Sequence, residues 1–217
     1  MIRPLVSSLV SVINKLYCGR PFSRFYVLET LACVPYYANL SVLNLYENFG
    51  FWRQVNWLEI HFSESWNELQ HLWIMEALDG DQCWYDRLLA RSLTIVYYWI
   101  LMVVYMVNPQ EIYRLRELLA SHAYDDYSKF LDEYEKELMI RPAPRLISDD
   151  AQEEDFFLLD EFQIDDKTAE HYPPITNLYD VFSTIRDQEM EHIKMMQACQ
   201  ESNAKVERKI LHTLARP

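Results

Sequence analysis

The sequence predicts an all-α protein, and three observations predict it. Apolar residues recur at helical spacing through most of the chain. Only three of the 217 residues are glycine, Gly19, Gly50 and Gly80, a poverty that helices tolerate and that sheets with many tight turns do not. Strand-like segments are scarce, the nearest being Asp155 to Phe162, where apolar and acidic residues mix inside a proline-flanked loop. At this length one domain carrying an arm or insertion fits better than two full domains.

Between Leu5 and Tyr17 the apolar positions 5, 6, 9, 10, 12, 13, 16 and 17 leave Ser7, Ser8, Ser11, Asn14 and Lys15 on a wet face, the pattern of an amphipathic helix. It is too short and too polar to span a bilayer. Bulky Leu16 and Tyr17 before Cys18 do not suit a signal or lipoprotein cleavage site. Two readings stand: a helix lying in a membrane interface, or one docked on the body. A second helix runs from Phe25 to about Phe49, with a bend at Pro35 and a break at Asn48-Phe49-Gly50. The third covers about Trp52 to Leu78 and stops at Asp79-Gly80. The fourth, Tyr85 to Val107, ends in fifteen residues, Leu93 to Val107, without a charge. That falls short of the roughly 20 needed to span, so it is a core helix or dips into one leaflet. After Asn108-Pro109 a long helix with mixed faces reaches about Met139. Pro142 and Pro144 open an irregular acidic loop that ends at Pro173-Pro174, and a helix from about Asn177 to Ser202 closes the fold. The expected organisation is a basic amphipathic membrane-associating arm (1–24), a helical domain (25–203) that includes the acidic loop 141–176, and a charged tail (204–217) that frays.

Composition removes several function classes. Lys plus Arg is 20 against 33 Asp plus Glu, a formal charge of -13, and such a field repels a polyanion, so nucleic acid is excluded as a partner. No two glycines have the spacing of a phosphate-cradling loop or a dinucleotide turn. The four cysteines form no C-x-x-C, so neither a zinc knuckle nor a disulfide framework is signalled, and a reducing compartment is the default. The acid is uneven. Residues 149–166 hold nine acidic side chains and no basic one, whereas the first 28 residues hold Arg3, Lys15, Arg20 and Arg24 and no acid. A basic, apolar start suits one anionic membrane leaflet.

Two E-x-x-H pairs carry the chemistry, Glu68 to His71 and Glu189 to His192. At i and i+3 on a helix both side chains share a face and can hold one metal. Taken singly, His71 also reads as a hydrogen-bonded core histidine and Glu189 as part of a solvated charged face. Context favours the metal. Trp66, Leu69, Leu72, Trp73 and Ile74 flank the first pair, and a carboxylate inside such a helix costs several kcal/mol unless paired or metal-bound. Glu29 poses the same problem within Phe25–Ala32. A ferritin-like four-helix di-iron carboxylate site takes an E-x-x-H from each of two helices and one Glu from each of the other two. Oxygen-rich donors with two imidazoles suit iron or manganese more than zinc or copper(I).

The segments Arg24-Phe25-Tyr26-Val27-Leu28-Glu29-Thr30, Val34-Pro35-Tyr36, His61-Phe62-Ser63-Glu64-Ser65-Trp66-Asn67-Glu68, Ser121-His122-Ala123-Tyr124, Asp160-Glu161-Phe162-Gln163 and Asn177-Leu178-Tyr179-Asp180-Val181-Phe182 occur in one order. With them the chain, from about Arg24 to Gln200, resembles the alternative oxidase superfamily and within it the plastid terminal oxidase (plastoquinol oxidase) branch. The resemblance implies a monotopic quinol:oxygen oxidoreductase that pumps no protons: two plastoquinols or related quinols are oxidised while O2 becomes two waters at two non-haem Fe ions. It places metal ligands at Glu29, Glu68, His71, Glu189 and His192, a catalytic tyrosine at Tyr127, and quinol contacts at Arg24 and Leu28. It also implies a homodimer on a thylakoid or cyanobacterial membrane, cytoplasmic or stromal side. With no transit-like extension before residue 1, the chain is expected to be a cyanobacterial, phage-encoded or mature plastid form.

One departure is serious. The family's sixth ligand, a Glu before Ser-His-Ala-Tyr, is Ala120 here, and a methyl group cannot coordinate iron. Asn44, Cys33 and Gln188 also stand where the branch has His, Arg and Asp. Around a helix Glu117 lies about 60° from Ala120 and Asp125 about 140°, so Glu117 is the better substitute, though a surface charge fits it better. The expectation is a site that binds metal and turns over poorly. Two alternatives remain: an inert membrane-bound paralogue, favoured by Ala120, and a soluble ferritin-like iron-binding protein, which has no use for the basic arm.

Overall fold

The computed structural model describes the backbone of residues 10–51, 55–144, 164–165, 170–171 and 175–214, and the side chains of 10–51, 57–144 and 175–201. Six helices occur among them: α1 (residues 10–16), α2 (Pro21–Asn48), α3 (Val55–Ala77), α4 (Trp84–Val107), α5 (Pro109–Ile140) and α6 (Leu178–Leu214). Two two-residue strands, β1 (Ile164–Asp165) and β2 (Glu170–His171), pair antiparallel within the acidic loop, with Ile164 opposite His171. The strand-like stretch 155–162 lies outside the described residues. The class is all-α.

Local chemistry sets the helix ends. Pro21 occupies the first turn of α2, where its missing N–H costs nothing, so the helix starts four residues before the apolar pattern suggests. It runs on through Pro35. At its C-terminus Phe51 N–H donates to Tyr46 O (3.1 Å) and Gly50 N–H to Glu47 O (2.9 Å), a Schellman closure with Gly50 at φ +85°. α3 closes in the same way, Gly80 N–H to Met75 O (2.9 Å) and Asp79 N–H to Glu76 O (3.0 Å), but the left-handed residue is Asp79, at φ +63°. Asn108 caps α5 by accepting from Gln110 N–H at 3.2 Å. Asn177 and Asp180 form a reciprocal cap on α6: Asn177 Oδ1 accepts from Asp180 N–H (3.0 Å) and Asp180 Oδ2 from Asn177 N–H (3.3 Å). α6 extends to Leu214, beyond the end near Ser202 that the sequence suggests.

α2 packs against α3 and α4, and α5 packs lengthwise against α6. Two apolar clusters result. One gathers Phe25, Tyr127, Phe130 and Phe182, with Phe25 stacked on Tyr127 (centroids 4.5 Å apart) and Phe130 edge-on to Phe182 (5.0 Å). The other gathers Val34, Val42, Ile112, Tyr113 and Met196. Along α2, α5 and α6 the chain passes from one cluster to the other within about three turns, and the buried acids lie at that handover on α2 and α6: Glu29 between Phe25 and Val34, Glu189 between Ile185 and Met196. α3, α2, α5 and α6 thus enclose a polar layer between two greasy ones.

α4 lies on the outside of α2, fastened by Ala90, Leu101, Tyr105 and a buried Asp86 that accepts a hydrogen bond from Arg20. Its other face is apolar and open: Ile95, Val96, Trp99, Ile100 and Val103 are each more than half exposed. The core-helix reading of Leu93–Val107 is therefore overturned. By length and composition α4 could cross a bilayer. α1 divides its residues, burying Ile13 and Tyr17 and exposing Val12 and Leu16, so it is docked and also presents an apolar edge.

Gly80 is required by contact rather than by φ. A Cβ there would lie 2.7 Å from Phe22 O, 2.8 Å from Met75 O and 2.9 Å from Tyr26 Cβ, and backbone oxygens cannot step aside. Gly80→Ala is expected to destabilise the fold by roughly 1–3 kcal/mol. The check is thermal unfolding; an unchanged midpoint would show that the α2–α3 crossing is looser than these distances.

Candidate metal centre

Five buried ionisable side chains meet in the polar layer. Glu29 comes from α2, Glu68 and His71 from α3, Glu189 and His192 from α6, and none is more than 3% exposed. Ligand atoms of Glu29, Glu68, His71 and Glu189 all lie within 4.8 Å of one another. His71 Nδ1 is the hub, 3.5 Å from Glu189, 3.8 Å from Glu29 and 3.9 Å from Glu68. His192 joins through its own Nδ1, 3.1 Å from Glu68 and 3.8 Å from Glu189. The five residues singled out as ligands in the sequence are thus brought together.

Each imidazole is oriented from behind. His71 Nε2 pairs with Gln188 Oε1 at 2.8 Å, so Nε2 carries the proton and Nδ1 offers its lone pair to the layer when the ring is neutral. His192 Nε2 faces Glu64 Oε2 at 3.6 Å. Gln188 therefore keeps an acceptor where the family pattern has Asp. Glu64 was quoted as part of a motif but not assigned a role. Its signal was the i to i+4 spacing to Glu68, which puts both on one helix face.

The electrostatics are those of a dry cluster that neutralises itself. Burial, and then Glu189, pushes Glu68 up to about 7 against the pull of His192. Burial opposes the His71 cation, yet hydrogen bonds to Glu189 and Glu29 outweigh it and push this group up to about 10. Burial also opposes the Glu189 anion, but His192 and His71 hold that carboxyl down at about 2. The Oε2 atoms of Glu29 and Glu68 have no hydrogen-bond partner among the described residues. Three buried carboxylates and two imidazoles with acceptor atoms to spare are a donor set that fits divalent metal.

Tyr127 donates a hydrogen bond to Glu29 Oε1, and its phenol is pushed well above the usual range by burial and then by Glu29. A cavity of about 70 Å³ adjoins the cluster, lined by Glu29, Glu68, Glu189, Leu28, Ala120 and Tyr36 and reaching Val10 and Ile13 of α1. Leu28 is thus on the wall. Arg24, one turn earlier on α2, is not among the lining residues; its Nη1 is 3.3 Å from Asn14 Oδ1 and 4.0 Å from Asp126 Oδ2. α5 turns Ala120 toward the carboxylates, and the acid it lends to the same cavity wall, Asp126, faces Arg24 instead. Glu117 is occupied elsewhere, accepting from Gln197 (2.9 Å) and Gln200 (2.7 Å), so it does not substitute for the missing ligand. Cys33 is buried, and its thiol is pushed well above the usual range by burial and then by Glu68.

A family model described as alternative oxidase matches residues 11–201. Ubiquinol oxidase 4, chloroplastic/chromoplastic, of Arabidopsis thaliana is 45% identical over 196 residues, which are 90% of this chain and 56% of that protein. Ubiquinol oxidase 2, mitochondrial, of Glycine max is 29% identical over 127 residues, 58% of this chain and 38% of its own length. Ubiquinol oxidase 2, mitochondrial, of Arabidopsis thaliana is 30% identical over 108 residues, 50% and 30% respectively. The chain spans about half the length, or less, of these curated relatives.

Three groups among the five have raised values, Glu68, His71 and His192, the last because Glu64, Glu189 and Glu68 outweigh its burial, so the sign of the pH dependence follows. The stability linked to protonated Glu68 is present below its ordinary 4.5 and is lost as pH rises through about 7; that linked to the His71 cation is present below 6.5 and is lost on the way to about 10. Glu189 acts oppositely, but only below 4.5. The metal-free chain is therefore expected to be most stable near pH 5 and to melt at lower temperature as pH rises to 9. Manganese(II) should bind more tightly across that range, because binding releases those protons. Thermal unfolding with and without the metal at pH 5, 7 and 9 checks this; parallel curves would count against it.

Proposed function

The chain belongs to the alternative oxidase family, and on that premise we propose that it is a quinol oxidase of the plastid terminal type. Plastoquinol or a related quinol is the reductant and O2 the acceptor. Two quinols yield two quinones, four electrons and four protons, which convert one O2 into two waters. The observation that carries the reading is the buried carboxylate and imidazole cluster opening onto an apolar cavity that reaches α1.

The ligands are Glu29, Glu68, His71, Glu189 and His192, and two iron ions held there would supply the binding and reduction of dioxygen. The rest is done by the chain itself. Gln188 and Glu64 hold the two imidazoles so that each Nδ1 faces the centre. Tyr127 keeps its proton on Oη and shares it with Glu29, which places a hydrogen donor against a ligand carboxylate. The Phe25, Phe130 and Phe182 rings close off water behind it. Leu28 offers an apolar wall to the quinol and Arg24 a donor for its head group.

The exposed face of α4, with the outward Val12 and Leu16 of α1, supports attachment to one leaflet of a thylakoid or cyanobacterial membrane, on the cytoplasmic or stromal side, as a homodimer. The same face disfavours a soluble ferritin-like iron protein. A second reading is favoured by Ala120: a membrane-bound relative that holds metal but no longer turns over.

Iron per chain and quinol-dependent, cyanide-insensitive oxygen uptake test the function. Glu68→Ala is expected to abolish uptake and lower bound iron. Ala120→Glu is expected to raise uptake by roughly tenfold or more, on the scale by which ligand surroundings alter metal sites. Iron bound without uptake in either the parent or Ala120→Glu would favour the inert relative.

A further inference from the structure

α5 faces the centre with a methyl group, and one turn earlier on the same face it carries a buried cation. Arg116 is 2% exposed and lines the cavity that Ala120, Glu68 and Glu189 also line. Its guanidinium sits over the Tyr36 ring, 3.7 Å from the centroid. Nη1 lies 3.1 Å from His61 Nδ1 and 3.6 Å from Met196 Sδ, while Nε and Nη2 have no hydrogen-bond partner among the described residues. His61 is no counter-ion: burial and then Arg116 hold it well below its ordinary value, and its Nε2 is used on Tyr113 Oη at 3.2 Å. Among the described residues the contacts of its guanidinium are His61, Met196 and the Tyr36 ring, none of them an anion. A buried guanidinium with two idle donors and no anion costs several kcal/mol unless something answers it.

The metal centre has the complementary defect. In a four-helix carboxylate site each of the four helices contributes an acid, and here three do. With Glu64 placed behind His192 at 3.6 Å, three carboxylates face the two divalent ions of that reading and leave a positive surplus on the inner side, to which Arg116 adds. The space between is real: the cavity measures about 70 Å³, where about 10–15 Å³ by this measure admits one water.

We propose that the chain takes up a small carboxylate-type anion, of the size of formate, acetate or bicarbonate, between Arg116 and the Ala120 face. The anion's oxygens accept from Arg116 Nε and Nη2, a geometry suited to a planar two-oxygen group, and its negative charge completes the donor set that α5 does not supply. This rests on the metal-centre reading above. It makes Arg116 a positioning residue for an exogenous ligand in place of a tethered one.

The test is linkage rather than turnover. Manganese(II) affinity of the detergent-solubilised full chain is measured by loss of the free-ion EPR signal, with chloride holding ionic strength constant, and repeated with added acetate, formate or bicarbonate. Saturating anion is expected to tighten manganese binding by roughly tenfold or more. Arg116→Gln should lose most of that effect, and Ala120→Glu should bind the metal tightly without added anion and gain nothing from it. An effect of bicarbonate alone identifies the native occupant, and equal effects of all three a general carboxylate site; both support the proposal. Metal that binds with the same affinity whatever the anion overturns it, as does an undiminished acetate effect in Ala120→Glu, a variant that also serves if Arg116→Gln fails to fold. No manganese binding under any condition sinks the metal centre itself, a result distinct from the loss of linkage.

Discussion

The structure depends on keeping three carboxylates and two imidazoles inside a dry helical core. An isolated ion at such depth costs several kcal/mol, so none of these side chains could be there alone. Each is answered by another: His71 by Glu189 and Glu29, His192 by Glu68 and Glu189. That mutual dependence fixes the spacing of α2, α3 and α6, because displacing one helix strands charges on the others. The apolar clusters on either side provide the cohesion, and the polar layer provides the register. Metal would replace proton sharing as the means of neutralisation, which is why the raised values at Glu68 and His71 and the acceptor atoms left idle at Glu29 and Glu68 belong together.

The rest of the molecule is organised by where that layer meets the outside. α4 takes no part in the polar layer yet exposes a long apolar face, and α1 shares an edge of the same character. The cavity extends from the carboxylates past Leu28 to Val10 and Ile13 of α1. An apolar molecule entering from that side would meet apolar wall first and charged groups last, while the buried rings of Phe25, Phe130 and Phe182 pack behind Tyr127. Arg20, tied to Asp86, and Arg24, beside Asn14 and Asp126, stand where α1 passes into α2. The basic start of the sequence thus serves packing as well as any attraction to an anionic surface.

Much of this was legible in the residues, for an identifiable reason. Glu29, Glu68 and Glu189 stand out because an acid flanked by apolar helix positions has no bland place to go, and E-x-x-H spacing adds a shared face. The all-α class followed from helical period and scarce glycine. Where the residues left alternatives open or gave no signal, tertiary contact decided. Leu93–Val107 looks alike whether its apolar face turns in or out. Asp79 and Gly80 exchange expected roles because the chain's close approach to Phe22 and Met75 demands the missing Cβ, leaving the left-handed turn to Asp79. The sequence assigns no role to Glu64 or Arg116; only the packing of α3 and α5 against their neighbours shows them buried.

Ala120 and Arg116 are best understood as one change in the electrostatics of α5. Had Ala120 simply lost a ligand in a decaying site, the wall around it would be free to drift, and a cation one turn away would be no more tolerable in the core than an acid without a partner. Instead the surrounding geometry is kept: Tyr127 still donates to Glu29, Gln188 still orients His71, and Glu117 is engaged with Gln197 and Gln200 rather than swung inward. A buried guanidinium is stable there only if negative charge reaches it, and the carboxylates of the cluster are already committed to the imidazoles. The balance closes with a mobile anion more naturally than with a rearranged side chain, so the vacancy left by the methyl group and the idle donors of Arg116 account for each other.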